Sequence, residues 1–179
     1  MSEASQLHNS GVAAFRSQRF DEAAQLLAQA HAAAETEKNP AKAAEILNDL
    51  GVIQRELGQL EMAESTLDQA FQIFVELGDS KGQAQATGNL ANVFEGQERY
   101  QEAVDAYKQS AEMFEASGES DLAMYSWQAL SRLHLQQKNW LGAIASYEEG
   151  VEQMPEGSVK KGLLQRIIQL PGKWLGGGQ

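Results

Sequence analysis

The sequence predicts an all-α protein, a right-handed α-solenoid of four helix-turn-helix units followed by a C-terminal capping helix. Two observations support this fold class. Small and large residues recur every forty residues, and strong helix formers dominate the composition while β-branched residues are sparse. A fixed period of this size is typical of solenoids, in which each repeat can bury its apolar surface only against its neighbours.

Five series of positions carry the period, three of them small and two of them large. The small series are Gly11, Gly51, Ala91 and Ser131; Ala23, Ala63, Ala103 and Ala143; and Ala30, Ala70, Ser110 and Gly150. The large series are Phe20, Leu60, Tyr100 and Trp140; and Leu27, Leu67, Tyr107 and Tyr147. Small residues predict close helix crossings within each hairpin, and we expect the large ones to fill the gaps between hairpins.

Each unit divides into two helices, as the third shows. Within residues 83–96, Ala86 and Leu90 lie on one helical face, residues 97–99 are a polar turn, and a second apolar face begins at Tyr100. The same division predicts helices near residues 5–18, 21–36, 41–57, 60–77, 80–97, 100–117, 120–137 and 140–153, with a ninth near 158–169.

Local signals mark the helix ends. Gly78 and Gly118 suit helix C-termini, where a left-handed residue is needed. The predicted N-caps are Asn39, which precedes Pro40 at the first helical position, Asp79-Ser80 and Ser120-Asp121. We therefore expect four tandem repeats over residues 1–157, in units of about 1–38, 39–78, 79–118 and 119–157.

Residues 158–170 predict an amphipathic capping helix, and residues 171–179 a flexible tail. The apolar stripe is formed by Leu163, Leu164, Ile167 and Ile168, with Lys160, Lys161 and Arg166 among the polar positions and Trp174 and Leu175 just beyond. This segment either covers the second helix of repeat four, as solenoid ends require, or docks on an anionic membrane or a second protein. The short stripe favours the cap.

Composition excludes several classes of function. The net charge is -11, and all 25 acidic residues lie within residues 1–157, so this body repels phosphate backbones and no nucleic acid partner is expected. The chain has no cysteine, which excludes disulfides, thiolate metal sites and a cysteine nucleophile. Residues 1–10 lack the features of a secretory signal. Together these observations predict a cytoplasmic protein.

The sequence offers no catalytic constellation. The histidines His8, His31 and His134 show no metal-ligand spacing, and Glu148-Glu149 is typical of a solvated helix face. Residues 176–178 are glycines without the strand and helix that a phosphate loop requires. We therefore expect no enzyme activity, no metal and no cofactor.

The repeats resemble the tetratricopeptide repeat family, with a leucine and a small residue on the first helix, an aromatic at the turn and an alanine on the second. The matching stretches are Leu50-Gly51-Val52, Asn89-Leu90-Ala91-Asn92-Val93-Phe94 with Tyr100-Gln101-Glu102-Ala103, and Leu130-Ser131 with Trp140-Leu141-Gly142-Ala143. The usual period is about 34 residues. Forty is similar to the repeats of kinesin light chain and of the spindle adaptor with Leu-Gly-Asn repeats. The resemblance covers residues 4–157, and Ala14 and His134 depart from the aromatic usual in mid first helix.

The resemblance implies that the first helices line a concave groove that binds extended peptides or partner helices. In the spindle-adaptor subgroup, asparagines flanking the leucine-small pair contact the partner's main chain, and Asn89 and Asn92 match both positions. Asn9 and Asp49 match the first position, whereas Val12, Val52 and Arg132 replace the second. The two-carboxylate clamp of chaperone-binding members needs lysine and asparagine in the first repeat, so Val12 disfavours that class of partner.

Helical spacing adds further groove candidates, because Asn48, Val52 and Arg55 share one helical face and Gln128 and Arg132 share another. Asparagine can pair with a bound backbone amide, and arginine can grip a carboxylate. The predicted peptide-binding residues are Asn48, Val52, Arg55, Asn89, Asn92, Gln128 and Arg132. In the alternative, Asn9, Asp49 and Asn89 bond to neighbouring helices and are structural.

The sequence thus predicts a non-catalytic scaffold, monomeric or weakly self-associating, that binds a protein or peptide partner in its concave groove. Two alternatives remain. One is a self-associating structural unit in which solenoid ends stack head to tail. The other is a peripheral membrane adaptor that uses residues 158–175.

Overall fold

The computed structural model describes residues 1–154 and residue 161, and over this part the protein is helical with no strand. The eight helices are α1 (Glu3–Arg16), α2 (Phe20–Thr36), α3 (Pro40–Glu56), α4 (Leu60–Leu77), α5 (Ser80–Gly96), α6 (Tyr100–Ala116), α7 (Ser120–Gln136) and α8 (Trp140–Glu152). The predicted all-α solenoid is confirmed, and each predicted helix end lies within two residues of the observed one. The ninth helix near 158–169, the cap over 158–170 and the tail over 171–179 lie outside the described residues, apart from Lys161, which is helical.

Consecutive helices pack against each other along the whole stack. The turns within hairpins are about three residues long, so each first helix runs back beside its second helix. In addition, α3 contacts both α1 and α5, whereas the second helices α2, α4, α6 and α8 make no comparable contact with one another. The first helices therefore lie on the inner side of the stack.

The glycines of the first helices permit the close crossings that the sequence predicts. A Cβ atom on Gly51 would lie 2.5 Å from Leu67 Cγ, and one on Gly11 would lie 2.6 Å from Leu27 Cδ2. Leu67 also packs with Leu90 and Val93 of the next hairpin. The large residues of this series thus fill the hairpin crossing and the gap between hairpins at once.

Side-chain caps set several helix starts. Asn39 and Asp79 accept bonds from the backbone N–H groups of Lys42 and Gly82, as expected for N-caps. Ser2 caps α1, so this helix begins two residues before the predicted position. The expectation for the start of α7 is wrong, because Ser120 is itself the first helical residue and Glu119 takes the N-cap place without a side-chain bond.

No helix in the described part of the chain is long and apolar enough to cross a membrane.

Candidate functional site

The inner surface formed by α1, α3, α5 and α7, which we call the first-helix face, is crossed by polar contacts between neighbouring repeats. His8 Nε2 on α1 lies 2.7 Å from Asp49 Oδ2 on α3. One repeat later, Asn89 Nδ2 on α5 donates to Asn48 Oδ1 on α3 at 2.9 Å. Both pairs join residues forty-one apart in sequence, so they tie α1 to α3 and α3 to α5 at the same level.

A polar cavity of about 360 Å³ lies on this face and is lined by residues of α3, α5, α6 and α7. Asn48, Asn89 and Asn92 line one side, and Tyr125 stands at the opposite side with its side chain largely exposed. Deeper in the cavity, Ser110 Oγ lies 3.1 Å from Ser126 Oγ and bonds to a backbone carbonyl. Because both serine hydroxyls are already hydrogen-bonded within the protein, the polar groups that remain to bind a ligand are the asparagine carboxamides at the rim of the cavity.

Tyr107 rises from α6 into the floor of this cavity. Its hydroxyl lies 2.9 Å from both Asn92 Oδ1 and Glu95 Oε2, and its one proton can be donated to either acceptor. Asn92 in turn donates from Nδ2 to the Gly88 carbonyl at 2.8 Å. Burial, reinforced by the charge of Glu95, raises the pKa of Tyr107 far above its ordinary value. The phenol therefore remains a neutral donor that orients two groove side chains.

A charged cavity of about 530 Å³ adjoins the polar one and shares Asn92 with it. Arg55 from α3 and Arg132 from α7 flank it, with Glu95 of α5 between them. Arg132 donates to Glu95 Oε2 at 3.2 Å, and Arg55 pairs with its neighbour Glu56. The guanidinium groups of Arg55 and Arg132 are therefore both solvent-accessible, and each forms an ion pair with a glutamate of the same chain.

An apolar cavity of about 250 Å³ lies at the other end of the first-helix face, between α1 and α3. Val12, Phe15 and Val52 form its walls, and the buried Leu27 lies behind them. Asp49, which also lines the polar cavity, contributes to this one as well. The three cavities therefore follow one another along a single surface, from apolar through polar to charged.

Six of the seven residues predicted from sequence line these cavities. Asn48, Asn89 and Asn92 lie in the polar cavity, Arg55 and Arg132 in the charged one with Asn92, and Val52 in the apolar one. Gln128 is not among their lining residues; its Cγ packs 4.0 Å from the Cβ position of Gly150.

Asp49 and Asn89 make the bonds to neighbouring first helices that the structural alternative expects, and both also line the polar cavity. Asn9 is exposed and contacts Met1 Sδ at 3.6 Å.

The residues of this surface that are missing from the sequence-based set include Glu95, Tyr125 and Tyr107. Glu95 shares the forty-residue position of Arg55, so the period could have identified it. Tyr125 shares the position of Gln85, another cavity residue. Tyr107 follows Leu27 and Leu67 in its forty-residue series, and both leucines are buried in the core. Nothing in the sequence therefore indicates that the hydroxyl of Tyr107 reaches the groove.

Charge differs sharply between the two sets of helices. Lys108 is the one lysine or arginine within the four second helices, which carry most of the acidic residues. The other lysines and arginines of the eight helices lie on first helices and are Arg16, Lys42, Arg55, Lys81 and Arg132. The first-helix face is therefore nearly neutral, while the opposite surface is strongly acidic.

The acidic surface includes a cleft of about 720 Å³ between α2 and α4, lined by His31, Glu61, Glu64 and Asp68 among others. Burial, with the nearby charge of Glu64, raises the pKa of Asp68. No group of three or more histidine or acidic residues in the described part of the chain could hold a metal ion.

Solved structures of other proteins share this architecture, among them the following two. BtubC (BKLC) from P. vanneervenii superposes with a TM-score of 0.73 at 17% identity, over 87% of this chain and 68% of that one. Aspartyl phosphate phosphatase F from Bacillus subtilis superposes with a TM-score of 0.80 at 14% identity, over 93% of this chain and 44% of that one. At such identities the likeness shows the fold alone. No curated protein matches the chain.

A family model described as tetratricopeptide repeat matches residues 3–76, 42–116 and 82–156. The three overlapping matches advance by about one forty-residue unit each, in step with the hairpins of the structure. They extend together over all eight helices. The chain therefore belongs to the tetratricopeptide repeat family.

Proposed function

We propose that this protein is a non-catalytic interaction module that holds an extended segment of a partner protein on its first-helix face. The observation that carries the proposal is the continuity of the three cavities, because Asp49 joins the apolar cavity to the polar one and Asn92 joins the polar cavity to the charged one. A single peptide running from α1 to α7 would meet the apolar cavity first. It would then lie over the polar and charged cavities, which both involve α3, α5 and α7 but at different heights along these helices.

The chemistry of the three cavities favours a peptide with a mixed character. An apolar side chain fits between Val12 and Val52, and the carboxamides of Asn89 and Asn92 can pair with peptide backbone groups. Tyr125 offers a large exposed ring, and tyrosine and arginine are the residue types that most often dominate binding energy at interfaces. The near-neutral surface also lets a partner of either charge approach.

The test compares partner capture by the wild type, by the double variant Tyr125→Ala with Arg132→Ala, and by Lys108→Ala. The side chains of Arg132 and Lys108 are 57% and 59% exposed, and each pairs with a glutamate, but Lys108 lies on the acidic outer surface. Partners identified by mass spectrometry are then titrated as purified proteins. We expect at least a tenfold loss of affinity in the double variant and none in Lys108→Ala.

Equal binding by all three proteins would rule out the first-helix face as the site. A photoreactive amino acid placed at position 125, with position 108 as the matched control, adds a direct readout. We expect cross-links to a continuous partner segment from position 125 alone. Cross-links of equal yield from both positions would contradict the proposal.

A self-associating unit is the second candidate, and one observation favours it. Trp140, Leu141 and Ile144 of α8 are exposed near the C-terminal end of the stack, where a second copy could pack. Light scattering over a range of concentrations distinguishes the two candidates. A mass that stays monomeric favours partner binding, whereas growth with concentration that Leu141→Asp abolishes favours self-association.

A further inference from the structure

The last described residue, Lys161, is almost completely buried. Its side chain is about 5% exposed, and its Nζ donates to the Glu152 carbonyl at 2.9 Å and to the Met154 carbonyl at 3.3 Å. Nζ also lies 3.5 Å from Glu152 Oε2. Glu152 is the last residue of α8 and Met154 lies two residues beyond it, so a buried ammonium group satisfies acceptors at and just after the helix C-terminus.

The same acceptor position is used at an earlier junction in the stack. Gln83 Nε2, near the start of α5, donates to the Phe74 carbonyl at the end of α4 at 3.2 Å. Phe74 and Met154 are eighty residues apart, which is two periods. Lys161 is also helical. It stands eighty residues after Lys81, which lies in the first turn of α5, and two residues before the position that matches Gln83. Its place in the repeat is therefore the beginning of a first helix.

The end of α8 is covered, as the ends of earlier second helices are. Phe74 and Phe114 are buried against the following first helix, where Gly82 and Ala123 lie beside them. Met154 stands at the same position and is 7% exposed, and Val151 is 2% exposed. No first helix follows α8 among the described residues beyond Lys161, yet both side chains are as buried as Phe74 and Phe114.

The sequence after Lys161 matches the core positions of a first helix. Leu163, Ile167 and Leu170 stand forty residues after Ala123, Trp127 and Leu130, all of which are buried in α7.

We propose that residues 161–170 dock on the C-terminal half of α8 as the first helix of a fifth repeat, with Lys161 as the anchor on the α8 carbonyls. The occupant of this end of the stack is then the chain itself rather than a second copy or a membrane. Pro171 stands at the position of Ser131, midway along α7, so the docked segment would stop short of Trp140 and Ile144. Those two side chains are exposed in the structure.

The absence of cysteine permits a labelling test with a single introduced thiol. Met154→Cys reports on the proposed contact, Ala34→Cys on the equivalent buried position three repeats earlier, and Val75→Cys on an exposed position of α4. Each is placed in the full chain and in a chain ending at Lys161, and its rate with a maleimide is measured. We expect truncation to raise the Met154→Cys rate at least tenfold and to leave the other two rates unchanged.

Point variants in the full chain guard against global unfolding. Ile167→Asp should expose Met154→Cys, whereas Gln165→Asp, which adds the same charge at a non-core position of the repeat, should not. Lys161→Met should raise the rate, while Lys161→Gln, which keeps a donor as Gln83 does, should preserve protection. Continued protection of Ala34→Cys shows that the stack remains folded.

Three results would overturn the proposal. One is a Met154→Cys rate that no truncation or variant changes. Another is protection that disappears on dilution, which assigns the cover to a second copy. The third is an unchanged rate together with loss of binding to phosphatidylcholine–phosphatidylserine vesicles on truncation, which assigns residues 162–179 to a membrane surface.

Discussion

Asn89 and Asn48 are bonded side chain to side chain across two successive first helices, with Asn89 Nδ2 2.9 Å from Asn48 Oδ1. Asn48 is buried, whereas Asn89 is partly exposed. A carboxamide has two donors and an acceptor with two lone pairs, so one shared bond leaves each residue able to make others. The pair can therefore fix the spacing of α3 and α5 and still serve the polar cavity.

Asn89→Ala is expected to lower the free energy of unfolding by about 1–2 kcal/mol, because it leaves the buried Asn48 carbonyl without its donor. Urea denaturation measures the change. In a double-mutant cycle with Asn48→Ala, the two single losses should exceed the double loss by at least about 0.5 kcal/mol. Additive losses would show that the observed bond contributes nothing to stability.

Tyr107→Phe is expected to reduce stability by about 1–2 kcal/mol at neutral pH, because it removes the hydroxyl that bonds to Asn92 and Glu95. The loss should depend on pH. The unfolded tyrosine releases its proton near its ordinary pKa of 10.0, while burial raises the pKa of the folded phenol. Between these values the folded state binds more protons, so the contribution is complete below pH 10.0 and is lost as pH rises.

Denaturant unfolding of the wild type and of Tyr107→Phe from pH 7 to pH 11 checks this expectation. The difference between the two proteins should stay constant up to about pH 9 and then shrink. A difference that grows above pH 10 would have the wrong sign and would contradict the assignment of a neutral phenol.

The helices and their stacking are well predicted from the sequence, because packing between repeats restricts the size of the residue at fixed positions of each repeat. Gly51 must be small where Leu67 approaches it, and the same requirement recurs each forty residues. The details of the candidate site are harder to predict from the sequence. The Asn48–Asn89 bond depends on how one hairpin is rotated against the next, which no local pattern records. Tyr107 reaches the groove from a second helix, although its sequence series indicates only core packing.

Arg99→Gln is expected to destabilise the protein slightly at neutral pH, because it removes the positive charge shared by two glutamates. Arg99, in the turn between α5 and α6, donates to Glu64 of α4 at 2.7 Å and also pairs with Glu102. The bond from Arg99 lowers the pKa of Glu64 below its ordinary value of 4.5. This contribution is therefore present above pH 4.5 and is lost as pH falls through the folded pKa.

Thermal melts of the wild type and Arg99→Gln at pH 7 and pH 3 measure this effect. Lys108→Gln serves as the control, because the Lys108–Glu112 pair is exposed and its charged atoms are 3.7 Å apart. We expect a negligible change in the control at both pH values. A loss in Arg99→Gln that is as large at pH 3 as at pH 7 would assign the effect to the packing of Arg99 over Phe94 instead.

Glu98→Gly is expected to stabilise the protein by about 0.5–1 kcal/mol, because Glu98 has a left-handed backbone that costs a side-chain-bearing residue energy. Its φ is 61°, and Gly58 has φ 74° at the same position one repeat earlier, with no atom within 4 Å of its Cβ position. The reciprocal change Gly58→Glu should therefore destabilise by a similar amount. Chemical denaturation of both variants tests the pair, with Gln109→Gly at an exposed position inside α6 as a control that should lose about 1 kcal/mol. Destabilisation by Glu98→Gly would mean that its side chain contributes more than its backbone conformation costs.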